Sequence, residues 1–338
     1  MADLQMTFGK VNIINKDMIK IKYSIVLLVI AFSIQAQDSS RFTIPIKNWN
    51  MQIVGLDVFY PTYLADPLAV RFEVSSQSVK YGEIDYQDGI NNGEGYNGKL
   101  CITGGMRVSL FKFSPKNNPN IGIEAELGMV LPVYMRGGNH DFMANDGIYH
   151  YSLTAKPKEW LVFRFSKHHI CTHRGDEFTW GGVKSPIDFD PNIMTLYVRD
   201  DFYLSSAFRP LYFLKNKQWD ILQVYADYIF FYPGVDFMGR RQNKPDAHAY
   251  NAFQMGAELE YYFPKQHFGG VYAAYNVSAY KTNSYSPNYS FVAGYIFPQD
   301  LYKKRLRVGF QYYDGRSLFN EFYNHKEKFM AFSVAMDL

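Results

Sequence analysis

The chain has 338 residues, a formal net charge of +3 and no long block of like charge, so nothing in it forms an electrostatic footprint for nucleic acid. Its mean hydropathy of −0.24 excludes a bundle of apolar membrane helices. Aromatic residues make up 18% of the chain, as 28 Tyr and 28 Phe against 4 Trp, which is enough to furnish interfacial girdles on a β-structure.

The first feature in chain order is Ser24 to Ile34 (SIVLLVIAFSI), a continuous apolar run. It is too short to span a bilayer as a helix, which takes roughly 20 residues. Lys20 and Lys22 precede it and Gln35-Ala36-Gln37 follows. A basic flank, a short apolar core and a small residue before a polar one read as a secretory signal peptide, with cleavage after Ala36. A buried core helix is the competing reading. Met18 offers an alternative start, with residues 1–17 as an upstream extension. Residues 37–68 alternate poorly and are expected to form a periplasmic lead or a plug inside the fold, ahead of a barrel domain at 69–338.

From there the chain alternates with period two, which sends successive side chains to opposite faces of a strand. Ile121, Ile123, Ala125, Leu127, Met129, Leu131 and Val133 share one face; Gly122, Glu124, Glu126 and Gly128 share the other. Phe253 to Tyr261, Leu222 to Phe230 and Leu306 to Tyr313 repeat the pattern. So does the end of the chain, where Met330, Phe332, Val334, Met336 and Leu338 face one way. Strands are predicted near 69–79, 100–113, 121–133, 147–156, 159–172, 195–208, 219–231, 252–262, 270–280, 288–297, 305–313 and 329–338. Glu124, Glu126, Glu258, Glu260, Arg164 and Arg307 fall on the polar face as candidate interior charges.

A soluble sandwich also alternates, so the connections decide. Those after odd-numbered strands are mostly long (80–99, 134–146, 173–194, 232–251, 314–328, with 281–287 the short exception). Those after even-numbered strands are compact (114–120, 156–158, 209–218, 263–269, 298–304). Sorting by parity is the habit of outer-membrane barrels, with long external loops and short periplasmic turns. The expectation is an all-β, antiparallel transmembrane barrel of about twelve strands in the outer membrane of a Gram-negative cell. Its partners would be outer-membrane lipids and the barrel-assembly machinery, the latter through the C-terminal strand. Its oligomeric state is open, and no cofactor is expected. Cys101 and Cys171 lie on strands far apart in order and are expected to be free thiols.

Three stretches, in order, carry a resemblance. FYPTYLADPLAVRFEV (Phe59 to Val74) resembles an aromatic-Pro, Leu-Ala-Asp-Pro, strand motif; HHICTHRGDEF (His168 to Phe178) resembles a His-x-Ser-Ser-His-x-Gly-Asp-Glu motif; YYDGRSLFNEFY (Tyr312 to Tyr323) resembles a Tyr-Tyr-Asp-Gly-x-Ser motif. Together they resemble the bacterial exported family catalogued as domain of unknown function 1207. That resemblance implies an outer-membrane barrel and no established activity. Cys171 and Thr172 stand where the family motif has its two serines.

Chemistry-bearing side chains crowd one place. His168, His169, Cys171, Thr172, His173, Asp176 and Glu177 lie within ten residues, at the outer end of a strand and the start of a loop. A metal site would need His173 with Asp176 or Glu177 across a turn at Gly175, because His169 and His173 are about 13 Å apart along a strand. An outer-leaflet lipid hydrolase would use a nucleophile beside a base on the same face, His169 and Cys171, with Asp176 or Glu177 to orient a His from the loop. Arg174, Asp314, Arg316, Ser317 and His140 supply a third reading, binding of sugar or phosphate groups at the rim. The fourth and favoured reading is a hydrogen-bonded network that ties a loop to the rim. Asp188-Phe189-Asp190-Pro191-Asn192 has calcium-like spacing but lacks the glycine and the closing glutamate, and reads as a turn.

Overall fold

The computed structural model describes residues 42–82, 98–136, 142–174, 198–231, 251–281, 284–298, 305–320 and 326–337. The chain divides after Phe42, and the unit from Thr43 onward carries the described strands. There are fourteen of them: β1 (Thr43–Ile46), β2 (Trp49–Gly55), β3 (Phe72–Gly82), β4 (Gly98–Pro115), β5 (Gly122–Arg136), β6 (Phe142–Lys158), β7 (Leu161–Arg174), β8 (Val198–Phe208), β9 (Leu222–Phe231), β10 (Asn251–Tyr262), β11 (Gly270–Tyr280), β12 (Pro287–Ile296), β13 (Arg305–Arg316) and β14 (Lys326–Asp337).

Strands β3 to β14 pair antiparallel with their neighbours in chain order, and β14 returns to pair with β3, from Met336 opposite Phe72 to Glu327 opposite Gly82. The result is a closed ring of twelve strands. Closure is what lets a sheet live in hydrocarbon, since no backbone edge is left without a partner.

The ring is apolar outside and polar inside, the reverse of a soluble sandwich. Phe163, Phe165, Leu153, Leu204, Met255, Phe253, Phe310, Met330 and Phe332 face outward, Phe310 being 65% exposed. On the opposite face of the ring, Glu124, Glu126, Arg107, Asp227, Glu258, Asn276, Gln311 and Arg307 face inward, and Arg307 is 2% exposed. An outward belt of large apolar side chains over a charged interior belongs to a transmembrane barrel.

The strands overrun the expected bounds at the loop ends. β5 continues to Arg136 and β6 starts at Phe142, so the expected loop 134–146 contracts to 137–141; β13 and β14 likewise leave 317–325 between them. Alternation fades in these extensions because the outward residues stand above the hydrocarbon and need not be apolar. The compact turns are laced together at their side of the ring. Asn118, after β4, donates to Glu159 at 3.0 Å, and Tyr212, after β8, donates to the same carboxylate at 3.1 Å. Those two bonds, Asn118 first, hold the Glu159 carboxyl below its usual range.

The stretch 37–68, expected as a lead or plug, contains two strands. β1 and β2 form a hairpin, and β2 pairs with the Ser109–Pro115 half of β4, below the reach of β3. Residues 56–71 then run through the interior. Tyr60, Leu64 and Ala65 are fully buried. Leu64 and Ala65 pack with Tyr272, Ala274, Val292 and Ile296; Tyr60 and Tyr63 pack with Val162, Ala207 and Tyr225. Leu68 and Val70 lie against Val130, Ile148, Ile170 and Ile229. The barrel therefore has a packed core wound around its own N-terminal segment.

Replacing Phe310 or Phe332 by Arg, a pair opposite each other in the middle of the outward belt, is expected to cost about 2–4 kcal/mol. Reversible urea unfolding in lipid vesicles measures it; the same change at Tyr285, beyond β11 on a connection, should cost far less.

Candidate functional site

Alternation along β7 distributes the predicted cluster over two faces. Leu161, Phe163, Phe165, Lys167, His169, Cys171 and His173 project outward, whereas Val162, Ser166, Ile170 and Thr172 are buried on the inner side. The outward series changes from apolar to polar at Lys167, so His169 and Cys171 stand just beyond the hydrocarbon belt. Neighbouring strands agree on that level. Leu153 gives way to Tyr151 and Tyr149 on β6, and Leu204 to Phe202 and Asp200 on β8. Phe165 stacks on Phe202 at 5.5 Å and Phe202 on Phe230 at 5.3 Å, which marks the upper rim of the belt.

At this rim the register sets His169 opposite Asp200 on β8 and opposite Tyr149 on β6. His169 Nδ1 lies 2.8 Å from Asp200 Oδ1, with the imidazole side chain 44% exposed. A carboxylate at Nδ1 fixes the ring and leaves Nε2 as the base, which is the role of the orienting acid in a nucleophilic triad. Cys171 is two residues along the same face; its thiol donates to the Gly147 carbonyl at 3.6 Å. Asp200 is not among the expected site residues. The signal is present in the sequence all the same: alternation in β8 puts one acid on a face otherwise held by Val198, Phe202 and Leu204.

The inner face holds a separate network. His168 Nε2 lies 3.0 Å from Ser166 Oγ, and its ring stacks on Tyr203 at 3.9 Å and on His150 at 5.0 Å. His150 lies over Gly128, where a Cβ would come within 2.0 Å of the imidazole, and 3.6 Å from Glu126. Glu126 also faces Arg164 at 3.5 Å and Arg107 at 3.9 Å. Several of these charges hold the main chain of the internal segment. Glu124 accepts from the Phe59 N–H at 2.6 Å and Glu258 from the Leu64 N–H at 2.5 Å. Arg107 donates to the Tyr60 carbonyl at 2.8 Å, Lys112 to the Asp57 carbonyl, and Tyr63 to Asp227 at 3.0 Å. Beside Asp66 and Leu68 the interior keeps a cavity of about 80 Å³, bordered by Arg107, His150, Arg164 and His168.

The other predicted residues are spread widely. Thr172 is buried on the inner face opposite Asp146. His173 is exposed on the outer face. Arg174 ends β7, while Asp176, Glu177 and His140 lie outside the described residues. Asp314, on β13, bonds outward to Lys328 at 3.1 Å and accepts from Tyr312 at 3.2 Å. Arg316 and Ser317 point inward, with the Arg316 guanidinium 3.7 Å from the centre of the Tyr280 ring. β13 and β7 are on opposite sides of the twelve-strand ring, so the outward-facing His173 and Asp314 lie far apart, whereas Thr172 and Arg316 turn inward toward the buried Asp146. Among the described residues no group of three His, Cys, Asp or Glu side chains is placed to hold a metal ion. The two cysteines are free thiols.

At the loop end, residues 317–320 fold back into the mouth of the ring. Phe319 is fully buried against Tyr134, with ring centres 3.6 Å apart. Asn320 donates from its side chain to Asp146 at 2.7 Å and from its backbone at 3.2 Å. Both ends of the interior are thus occupied by the chain itself.

The fold and these positions define an outer-membrane barrel with a filled interior. No family model and no curated protein matches the chain. Among solved structures, it is similar to the outer membrane phospholipase of Salmonella typhi, a dimer with bound calcium, with a TM-score of 0.50 and 10% identity, over 79% of this chain and 91% of that one. The outer membrane phospholipase A of Escherichia coli gives 0.50 at 9% identity, over 80% and 94%. The KdgM porin gives 0.38 at 11%, over 80% and 99%. The likeness is one of fold: a twelve-strand ring of the outer-membrane type.

Replacing Asn320 by Leu removes the side-chain donor to the buried Asp146 carboxylate while keeping the volume. The expected result is release of the 317–320 segment, read as faster tryptic cleavage after Arg316 in intact cells.

Proposed function

We propose that this protein is exported through a signal peptide cleaved after Ala36 and resides in the outer membrane of a Gram-negative cell. There it acts at its surface, in a structural or binding role, rather than as an open pore. The observation that carries this reading is the filled interior: segment 56–71 occupies the ring from Phe59 to Val70, and its main chain is bonded to Glu124, Glu258, Arg107 and Lys112. Membership of the exported family catalogued as domain of unknown function 1207 is part of the same reading and rests on the three ordered motifs. Outer-membrane lipids are the partners in place, and the assembly machinery would engage β14. Rim binding of sugar or phosphate groups would divide between Arg174, at the end of β7, and Asp314, on β13; Arg316 and Ser317 face inward, and His140 lies outside the described residues.

The experiment is conductance in planar lipid bilayers. The purified full chain is expected to give no steady channel. The double variant Glu124→Ala/Glu258→Ala, which loosens the internal segment, is expected to give intermittent openings. Steady conductance from the unaltered protein would overturn the closed-barrel reading.

A second reading is favoured by one specific observation, the His169–Asp200 pair on the lipid-facing surface. An imidazole oriented by a carboxylate at the height of lipid ester groups suits an outer-leaflet acyl hydrolase. At about one-tenth identity, the phospholipases of similar fold are not what supports it; the pair is. Mass-spectrometric lipid profiles of cells carrying His169→Ala, His173→Ala or Glu177→Ala test it. Unchanged acylation in all three would remove it.

A further inference from the structure

We propose that Cys171 is the nucleophile of an acyl-transfer site on the outer surface of β6, β7 and β8, acting on the carboxylic ester of a membrane lipid. The inference rests on the hydrolase reading and adds to it the attacking atom, the oxyanion donor and the place where the ester sits.

The place is the surface over Gly147. Gly147 is on β6 directly opposite Cys171. A Cβ built there would lie 3.0 Å from Cys171 Sγ and 3.2 Å from Tyr149 Oη, so at rest a thiol and a phenol close over this position. Rotation of Cys171 away from Gly147 opens it as a notch. His169 is on the same face of β7, two residues or about 6.6 Å from Cys171, a span that the two side chains would bridge once the thiol turns away from Gly147. Its ring runs nearly parallel to that of Tyr149, at 6.2 Å between centres. Asp200 holds the far side of the imidazole at 2.8 Å. Nucleophile, base, positioning acid and hydroxyl donor thus border one small gap on the lipid side. Below the gap lie Tyr151, Phe165 and Phe202, which an acyl chain would meet. The interior cannot host such a substrate, since its cavity is about 80 Å³ and Cys171 faces the other way.

At rest the thiol donates to the Gly147 carbonyl, so the first step is rotation of Cys171 toward His169. His169 Nε2 takes the thiol proton as sulfur attacks the ester carbonyl carbon. The carbonyl oxygen becomes an oxyanion and accepts from the Tyr149 hydroxyl. The C–O bond to the alcohol breaks, and His169 returns its proton to that oxygen, leaving a thioester on Cys171 and a lyso-lipid. Water, deprotonated by His169, then attacks the thioester; fatty acid leaves and the thiol is restored. No redox partner is needed. Asp200 is a positioning residue, since it acts only through His169.

The test uses the full mature chain in detergent–phosphatidylethanolamine mixed micelles, with fatty-acid release and intact-protein mass as readouts. The unaltered protein should release fatty acid and show an added acyl mass that hydroxylamine removes. Cys171→Ala should lower release on the order of 100-fold or more and abolish the adduct. Cys101→Ser, inside the barrel, should change neither. Gly147→Ala fills the notch and should suppress release while the heat-modifiable gel mobility of the folded barrel is kept. Asp200→Asn should retain more kcat than Asp200→Ala at unchanged KM, a split that a purely structural role would not produce. Release that survives Cys171→Ala would overturn the inference and leave the hydrolase reading standing. Absence of both release and adduct in the unaltered protein would overturn both.

Discussion

A chain that crosses hydrocarbon must pair its own backbone, and the β14–β3 ladder is where this chain meets that condition. Twelve strands without that last pairing would leave two open edges in lipid, each unpaired group costing several kcal/mol. With it, side-chain placement follows. Period-two alternation sends Phe332, Met330 and Val334 outward and Ser333, Ala331 and Ala335 inward on β14. The same rule, applied round the ring, produces the belt and the charged interior together.

A charged interior is unstable if left dry and unpaired. This barrel resolves the problem with an internal strap. Segment 56–71 carries backbone N–H and C=O groups of its own that also need partners. Glu124 and Glu258 accept from its amides, while Arg107, Arg71 and Lys112 donate to its carbonyls. The segment and the wall around it thus share several buried hydrogen bonds, and Tyr60, Tyr63, Leu64 and Leu68 pack between them. Arg305 and Arg307 reach Asp337 at 2.6 and 3.3 Å, which ties the end of β14 into the same network. The fixed interior turns attention to the outer surface, where Asp200 and His169 pair just beyond the apolar belt. Such a pair at the upper rim of an apolar belt calls for a functional account more strongly than the inner network, whose members brace one another.

Much of the architecture is legible in the sequence because a membrane strand writes two environments onto alternate residues. All twelve ring strands and their antiparallel order follow from alternation together with connection length, and alternation places Glu124, Glu126, Glu258, Arg164 and Arg307 among the interior charges. The hairpin β1–β2 does not, since Thr43, Pro45, Trp49 and Asn50 mix polar and apolar residues without a clean period, and its pairing with β4 is decided by an edge left vacant below β3. The candidate cluster is legible as composition and misleading as geometry. Ten consecutive residues hold seven reactive side chains, yet a strand sends neighbours to opposite sides of a wall, so His168 and Thr172 belong to the interior and His169 and Cys171 to the surface.

The sequence by itself determined the closed, inside-out barrel, because alternation and connection length are local properties that survive without knowing any contact. The tertiary structure alone decided what fills the ring and which groups meet on its surface. Asp200 lies thirty-one positions from His169, and Leu64 in the internal segment lies 194 positions from Glu258. Cross-strand register and the course of an internal segment depend on the whole ring closing, and no stretch of residues carries that information on its own.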